Sequence, residues 1–156
     1  MNLKIKGMKK TLVIAVAVII TGVIIAKSPS VDFNKDTVEG IQFHKASWKE
    51  ALIKAKKENK LVFLDMYATW CGPCKKLKAY TFSSAEVGKY YNEKFINVAL
   101  DAEKGEGVEI ARKYGVRGYP TLLFIDSSGK VVAKTSGYHK VDKFLELGKK
   151  VQASLK

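Results

Sequence analysis

The chain is poor in cysteine, histidine and proline: its 156 residues include two cysteines, two histidines and three prolines. Two cysteines cannot form the set of widely spaced disulfides that stabilises a small secreted domain. The histidines, His44 and His139, lie in unrelated segments. Together with the cysteine pair they lack the ligand spacing of a structural zinc site, although a copper site formed by both thiols and one histidine stays open. The feature that needs an explanation is therefore the pair itself, Cys71 and Cys74.

Acidic residues are also scarce relative to basic ones, with 15 Asp and Glu against 28 Lys and Arg and a net charge of +13. The lysines are scattered through predicted helices, without an arginine cluster or interleaved aromatic residues. This distribution indicates a solvated surface and argues against nucleic-acid binding. Weak attraction to lipid head groups or acidic partners is the lesser alternative.

Only one long apolar run occurs, at residues 11–26, where 16 uncharged residues follow four lysines. This pattern is typical of an export signal or a membrane anchor. The run lies at the upper end of signal-peptide lengths and falls short of the roughly 20 residues that span a bilayer comfortably. Cleavage and retention therefore both stay open.

The apolar run divides the chain into three predicted parts. Residues 1–26 form a signal peptide or an anchor that contacts the membrane, and residues 27–40 form a polar linker. Residues 41–156 are long enough for one globular domain and too short for two. Both fates of the first part place this domain outside the cytoplasm, in the periplasm or on the outer face of the cytoplasmic membrane.

The domain segment alternates between patterns typical of strands and of helices. Ile41 and Phe43 alternate with polar neighbours, which predicts a short edge strand. Ser47 and Glu50 have the spacing of a capping box at the start of an amphipathic helix. The nearly continuous apolar run at 61–67 predicts a central strand covered on both faces. The complete order of elements predicts an α/β sandwich with a site at the carboxyl end of the central strand.

The cysteine pair follows that strand, and its spacing favours redox exchange. Gly72 and Pro73 place the pair in a turn at the start of a helix. Unpaired N–H groups and the helix dipole favour the thiolate of Cys71, which is the attacking species. Cys74, one turn into the helix, is expected to be more buried and to attack the mixed disulfide that Cys71 forms with a substrate. Two thiols packed as small apolar side chains are the alternative.

Asp65 is a carboxylate inside the apolar strand. Burial among Leu64 and Met66 would raise its pKa, because desolvation disfavours the charged form. A carboxylate with such a pKa can accept the proton of Cys74, directly or through water. An aspartate exposed to solvent at the strand end is the alternative.

The segment RGYPT, at residues 117–121, places Pro120 at the start of a predicted strand, where a residue without an N–H group is tolerated. A cis Tyr119–Pro120 bond would let the preceding backbone face the thiols and pair with a substrate as a short strand. The sequence leaves the isomer open.

Three motifs together resemble the thioredoxin family over residues 41–154: WCGPC, the aspartate six positions before its first cysteine, and KYGVRGYPTLLFID. The segments AYTFSSAEVGKYYNEKFINVALD and SGYHKVDKFLELGK are similar to exported thioredoxin-like modules, such as the C-terminal domain of the membrane thiol:disulfide interchange reductase. The resemblance implies a thioredoxin fold, in which helices flank a central mixed β-sheet. It implies Cys71 as nucleophile, Cys74 as resolving thiol and Asp65 as buried proton acceptor. The substrate-binding residues that it implies are Trp70, Gly72, Pro73, Tyr119 and Pro120, with Pro120 in the cis form.

Two positions depart from the family pattern. Tyr67 stands where cytoplasmic thioredoxins usually carry a second tryptophan, and Asn97 stands where they carry a lysine near the buried acid. The resemblance places the second position near the buried acid, so the tuning of proton transfer in this chain stays open.

The expected function is thiol:disulfide exchange on exported proteins. Gly-Pro between the cysteines resembles reducing family members, so we expect a monomeric protein-disulfide reductase that receives electrons from a membrane thiol reductase. No metal and no cofactor other than the Cys71–Cys74 disulfide is expected. An oxidase, an isomerase, an apocytochrome thiol reductase in cytochrome c maturation, and a non-catalytic chaperone or metal-binding module stay open as alternatives.

Overall fold

The computed structural model describes residues 40–155, in which a four-stranded sheet is flanked by helices. The helices are α1 (Trp48–Glu58), α2 (Gly72–Lys76), α3 (Ala85–Lys94), α4 (Glu106–Lys113) and α5 (Val141–Ala153), and α2 continues into a π-helical turn (Leu77–Thr81). The strands are β1 (Leu61–Tyr67), β2 (Phe95–Asp101), β3 (Thr121–Ile125) and β4 (Val131–Ser136).

The sheet has the order β2, β1, β3, β4. Strand β1 runs parallel to β2 and antiparallel to β3, and β3 and β4 form an antiparallel hairpin. The predicted mixed sheet is therefore confirmed, with the apolar strand β1 in an interior position. The paired positions Tyr67 with Asp101 and Met66 with Thr121 bring the ends of β1 and β2 and the start of β3 to one edge of the sheet.

Alternate side chains of β1 enter two apolar layers. Val62, Leu64 and Met66 pack with buried residues of α1 and α4. Leu61 and Phe63 pack on the other face with residues of α3 and α5. Because each large side chain contributes about 1.5–3 kcal/mol when it leaves water, this double burial fixes the position of β1 in the fold.

Helix α1 begins with the predicted capping box. Ser47 Oγ accepts a hydrogen bond from the Glu50 N–H at 3.3 Å, and Glu50 Oε2 accepts one from the Ser47 N–H at 2.8 Å. The Trp48 N–H donates to the Glu106 carboxylate, 3.0 Å from Oε2. These bonds satisfy N–H groups that a helix start leaves unpaired, and the last one joins α1 to α4.

The prediction of an edge strand around Ile41 and Phe43 is wrong. This segment is extended, but its N–H groups donate to three unrelated acceptors instead of forming a ladder. Ile41 donates to Phe82 O, Gln42 to Asn92 Oδ1 and His44 to Asn97 O. The alternation of polar and apolar residues has another cause: both apolar side chains pack against the layer that contains Phe63.

The predicted signal or anchor at residues 1–26 lies outside the described residues, as does the predicted linker except for Gly40. Within residues 40–155, no helix combines the length and the apolar character needed to cross a membrane. The boundaries of the three predicted parts stay predictions.

Gly88 provides a test of the packing of α3. A Cβ at this position would overlap the backbone of Gly40, which has a φ of 91°. We expect Gly88→Ala to lower the free energy of unfolding by about 1–3 kcal/mol, because the overlap is with backbone rather than with a flexible side chain. Without that overlap, alanine would stabilise the helix.

Urea unfolding followed by circular dichroism measures this change. Lys89→Ala, at an exposed position of the same helix, is the matched control. A Gly88→Ala protein that is as stable as the wild type would show that the contact with Gly40 adapts at no cost.

Candidate active site

The two cysteines form a disulfide at the start of α2. Cys71 occupies the N-cap position with a φ of −68° and a ψ of 113°, and its Sγ accepts a hydrogen bond from the Cys74 N–H at 3.2 Å. Pro73 lies in the first turn, as predicted, and the two Cα atoms are 5.3 Å apart. The sequence CGPC therefore folds into a turn that holds both sulfur atoms together.

The prediction that Cys74 is more buried than Cys71 is wrong. Cys71 is 2% exposed and Cys74 is 7% exposed, so the supposedly outer residue is slightly better covered. Tyr67 and Tyr119 pack against the pair together with Ala68. Cys74 is the more accessible of the two because it borders a cavity next to β1.

This cavity has a volume of about 490 Å³, and Asp65 and Cys74 both line it. Phe43, Tyr67 and Lys78 form part of its remaining wall. The structure thus brings the predicted proton acceptor and the predicted resolving cysteine to the wall of one partly open cavity. Sequence reasoning did not identify Phe43, which is distant in sequence from the central strand. It also missed Lys78, although Lys78 lies one helical turn after Cys74 and this spacing could have indicated it.

Asp65 is buried, as predicted, with 6% of its surface exposed. Its Oδ1 has no hydrogen-bond partner among residues 40–155. Burial raises the pKa of the Asp65 carboxyl to about 7, because water no longer stabilises the carboxylate. A carboxyl with this pKa exchanges its proton near neutral pH, which suits a group that accepts and returns protons.

Of the two departures from the family pattern, Tyr67 shares the cavity of this carboxyl and Asn97 does not. Tyr67 lines the cavity, and burial together with the charges of Asp101 and Asp65 raises the pKa of its phenol. Asn97 is buried on β2, but its Nδ2 donates to Asn92 Oδ1 at 3.1 Å. The asparagine amide therefore interacts with α3 and supplies no cation to Asp65.

An exposed aromatic side chain lies beside the disulfide. Trp70 is 66% exposed, and its ring meets that of Tyr119 edge to face with centroids 5.9 Å apart. The Trp70 indole Nε1–H donates to Glu103 Oε2 at 2.9 Å. Sequence reasoning missed Glu103. The one indication in the sequence is that Glu103 follows a strand parallel to β1, so it lies at the same edge of the sheet as Cys71.

The remaining predicted substrate-binding residues surround the pair. Gly72 and Pro73 are exposed in the turn. The Tyr119–Pro120 peptide bond is cis, as the family resemblance implies, and Pro120 is buried. All eight predicted site residues therefore lie at one edge of the sheet, and their roles stay predictions.

The histidines have structural contacts. His139 Nε2 lies 3.3 Å from Thr135 Oγ1, and the His139 carbonyl accepts a hydrogen bond from Thr81 Oγ1 at 2.7 Å. In the part of the chain that the structure describes, no three His, Cys, Asp or Glu residues are grouped closely enough to hold a metal ion.

A profile of the thioredoxin-like domain family matches residues 48–152. The chain is similar to the thiol:disulfide interchange protein DsbD of Neisseria meningitidis, with 33% identity over 123 residues that cover 76% of this chain and 20% of that protein. It is also similar to DsbD of Yersinia pestis, with 34% identity over 97 residues, which cover 60% and 16% of the two chains. The chain therefore spans a fifth or less of the length of these curated relatives.

Solved structures give matches that extend over whole domains. A candidate disulphide-isomerase from Bacteroides thetaiotaomicron is 48% identical, with a TM-score of 0.63 over 76% of this chain and 96% of that one. The oxidised C-terminal domain of Neisseria meningitidis DsbD is 33% identical, with a TM-score of 0.57 over 70% of this chain and 97% of that one. The described domain is thus similar to complete small domains as well as to one part of a longer protein.

The buried carboxyl predicts how stability depends on pH. Asp65 stays protonated up to about pH 7 in the folded protein and has an ordinary pKa of 3.8. Between these values the folded state binds more protons than the unfolded state, so its stability falls as pH rises and levels off above pH 7. The expected loss from this group between about pH 4 and pH 8 is roughly 4 kcal/mol.

Urea unfolding of the oxidised wild type and of Asp65→Asn over this pH range measures the loss. The difference between the two proteins isolates residue 65, because every other titrating group is common to both. We expect Asp65→Asn to gain stability relative to the wild type as pH rises. Parallel stability curves would show that Asp65 is not desolvated.

Proposed function

This chain belongs to the thioredoxin-like domain family and is a protein-disulfide oxidoreductase, and on that premise we propose that it reduces disulfides of exported proteins. The expected family and thioredoxin fold are confirmed. The observation that carries the proposal is the Cys71–Cys74 disulfide beside the buried carboxyl of Asp65.

The proposed reaction begins from the reduced pair. The Cys71 thiolate attacks one sulfur of a substrate disulfide, forms a mixed disulfide and displaces the first substrate thiolate. The Cys74 thiolate then attacks Cys71 Sγ, closes the Cys71–Cys74 disulfide and displaces the second substrate thiolate. Two electrons pass from the cysteine pair to the substrate, and the oxidised form is the state seen in the structure.

The second attack requires that Cys74 lose a proton inside the fold. Asp65 lines the same cavity as Cys74 and is the nearby carboxylate whose pKa burial raises to about 7. It takes up the Cys74 proton directly or through a water molecule in the cavity, which has room for several water molecules. The proton returns to solvent after the substrate leaves.

The exposed side chains around the pair bind the substrate polypeptide. Trp70 is exposed and Tyr119 is half-buried, and their rings meet edge to face in one aromatic patch beside the disulfide. Gly72 and Pro73 form an exposed turn between the sulfurs without a bulky side chain. Together with the backbone before Pro120, they provide a shallow surface for an extended segment that contains the target disulfide.

One observation supports the direction of electron flow: Gly-Pro between the cysteines resembles the reducing members of the family. The relatives named DsbD are thiol:disulfide interchange proteins, a name that supports exchange without giving its direction. We propose that a membrane thiol reductase supplies the electrons. The apolar run at residues 11–26 supports a location outside the cytoplasm.

Trapping of the mixed disulfide tests the proposal. In Cys74→Ser the resolving thiol is missing, so substrates should remain bound to Cys71 through a disulfide that a reducing agent releases. Cys71→Ser is the matched control, because it keeps one thiol in the same turn but lacks the nucleophile. The measurement is a non-reducing gel of the full chain expressed in its native host, after alkylation of free thiols.

We expect several reducible adducts with Cys74→Ser and none with Cys71→Ser. Equal adducts in both variants would indicate non-specific oxidation. If neither variant forms adducts and both still bind exported polypeptides, the result would favour the non-catalytic module over the reductase.

A further inference from the structure

Glu103 is the acidic group that the structure places closest to the exposed substrate-binding aromatic. Its Oε2 accepts the Trp70 indole N–H at 2.9 Å across 33 positions of sequence. Trp70 is itself next to the nucleophile Cys71. A substrate side chain that contacts both Trp70 and Glu103 would therefore lie beside the turn that carries the disulfide.

The loop after β2 fixes Glu103 at this place. The Ala102 N–H donates to the carbonyl of Tyr67 at 2.8 Å, which joins the loop to the end of β1. The Glu103 N–H donates to Asp101 Oδ1 at 3.0 Å, and the Lys104 N–H donates to the Asp101 carbonyl at 3.1 Å. Three backbone N–H groups in succession are thus bonded, so the fold fixes the backbone that carries Glu103, and the hydrogen bond to Trp70 orients its carboxylate.

The second oxygen of Glu103 is available to a ligand. Within residues 40–155, neither a hydrogen bond nor an ion pair engages its Oε1. The neighbouring cation, Lys104, directs its Nζ to Asp101 Oδ2 at 3.8 Å. Glu103 is exposed and accepts a hydrogen bond through one oxygen only, so it keeps its capacity to bind a cation through the other.

The net positive charge of the chain does not cancel the attraction of Glu103 for a cation that it contacts. The net charge of +13 repels cations at long range, but salt screens such fields beyond about 8–10 Å. A substrate docked on Trp70 lies within that distance of Glu103. The short-range contact therefore decides which side chain is favoured beside the disulfide.

We propose that Glu103 and Trp70 form a recognition pair that selects polypeptide disulfides with a basic residue adjacent to the attacked cysteine. The Trp70 ring covers the apolar part of the lysine or arginine side chain, and the Glu103 carboxylate pairs with its charged end. This inference rests on the proposed reductase function and adds the class of substrate to it.

Matched peptides test the inference. Three peptides with one disulfide each differ only in the residue beside the cysteine, which is lysine, glutamine or glutamate. The full chain is purified in non-ionic detergent and reduced in advance, and its second-order rate constant with each peptide is measured in single turnovers. The rates of the same peptides with dithiothreitol, which is uncharged, correct for the intrinsic reactivity of each disulfide.

Three variants separate the charge of Glu103 from its hydrogen bond. Glu103→Gln removes the charge and keeps an acceptor for the indole N–H, whereas Glu103→Ala removes both. Glu109→Gln makes the same charge change at an exposed position of α4 and is the control. The reduction potential of each variant shows whether recognition or redox chemistry has changed.

We expect the wild type and Glu109→Gln to prefer the lysine peptide over the glutamate peptide by about two- to fivefold, the size of an exposed ion pair. The preference should disappear in Glu103→Gln and should weaken as salt is added. Glu103→Ala should also lower the rate constant for the neutral glutamine peptide, since the indole is no longer held.

Two results would overturn the inference. Equal corrected rates for all three peptides with the wild type, or a preference that persists in Glu103→Gln, would contradict the recognition pair and leave the reductase function intact. A wild-type protein that has a reversible cysteine couple but reduces none of the peptides would contradict the proposed function and the inference with it.

Discussion

Strand β1 is covered by an apolar layer on each face and is hydrogen-bonded to a neighbouring strand on each side. Any side chain near the end of β1 is therefore removed from water unless a cavity reaches it. Asp65 occupies such a position, and the protein retains a carboxyl where an apolar residue would be more stable. No hydrogen bond from the described residues offsets this loss of water, and Oδ1 is a buried atom without a partner. Asp65 thus has a pKa of about 7.

The sheet topology explains why the other site residues meet at this place. Because β1 and β2 are parallel, the loops that follow them leave the sheet at the same edge, and these loops carry Cys71 and Glu103. Because β3 is antiparallel to β1, its amino end reaches that edge too, preceded by Pro120. One edge of the sheet therefore collects the proposed nucleophile and proton acceptor, Glu103 and the residues around Pro120 from three separate segments.

Much of this arrangement could be predicted from sequence, since its determinants are local. The apolar run around Asp65 indicates a covered strand, CGPC indicates a turn into a helix, and the residues before Pro120 belong to a motif shared with the family. The failures concern partners distant in sequence. Alternation at Ile41 and Phe43 is the same for a strand and for an extended segment whose N–H groups bond elsewhere. Likewise, the burial order of the cysteines depends on a cavity wall that includes Phe43, and the Glu103 contact links two exposed residues without any periodicity.

The reduction potential of the pair Cys71–Cys74 tests most directly whether this pair is a reductant. The full chain, purified in mild detergent, is equilibrated with a series of dithiothreitol or glutathione redox buffers, and the reduced fraction is read from alkylation of the two thiols. We expect a potential near that of thioredoxin, about −270 mV. A potential at or above about −180 mV, the range of protein disulfide isomerase and of stronger oxidants, would contradict it and make the protein a donor of disulfides.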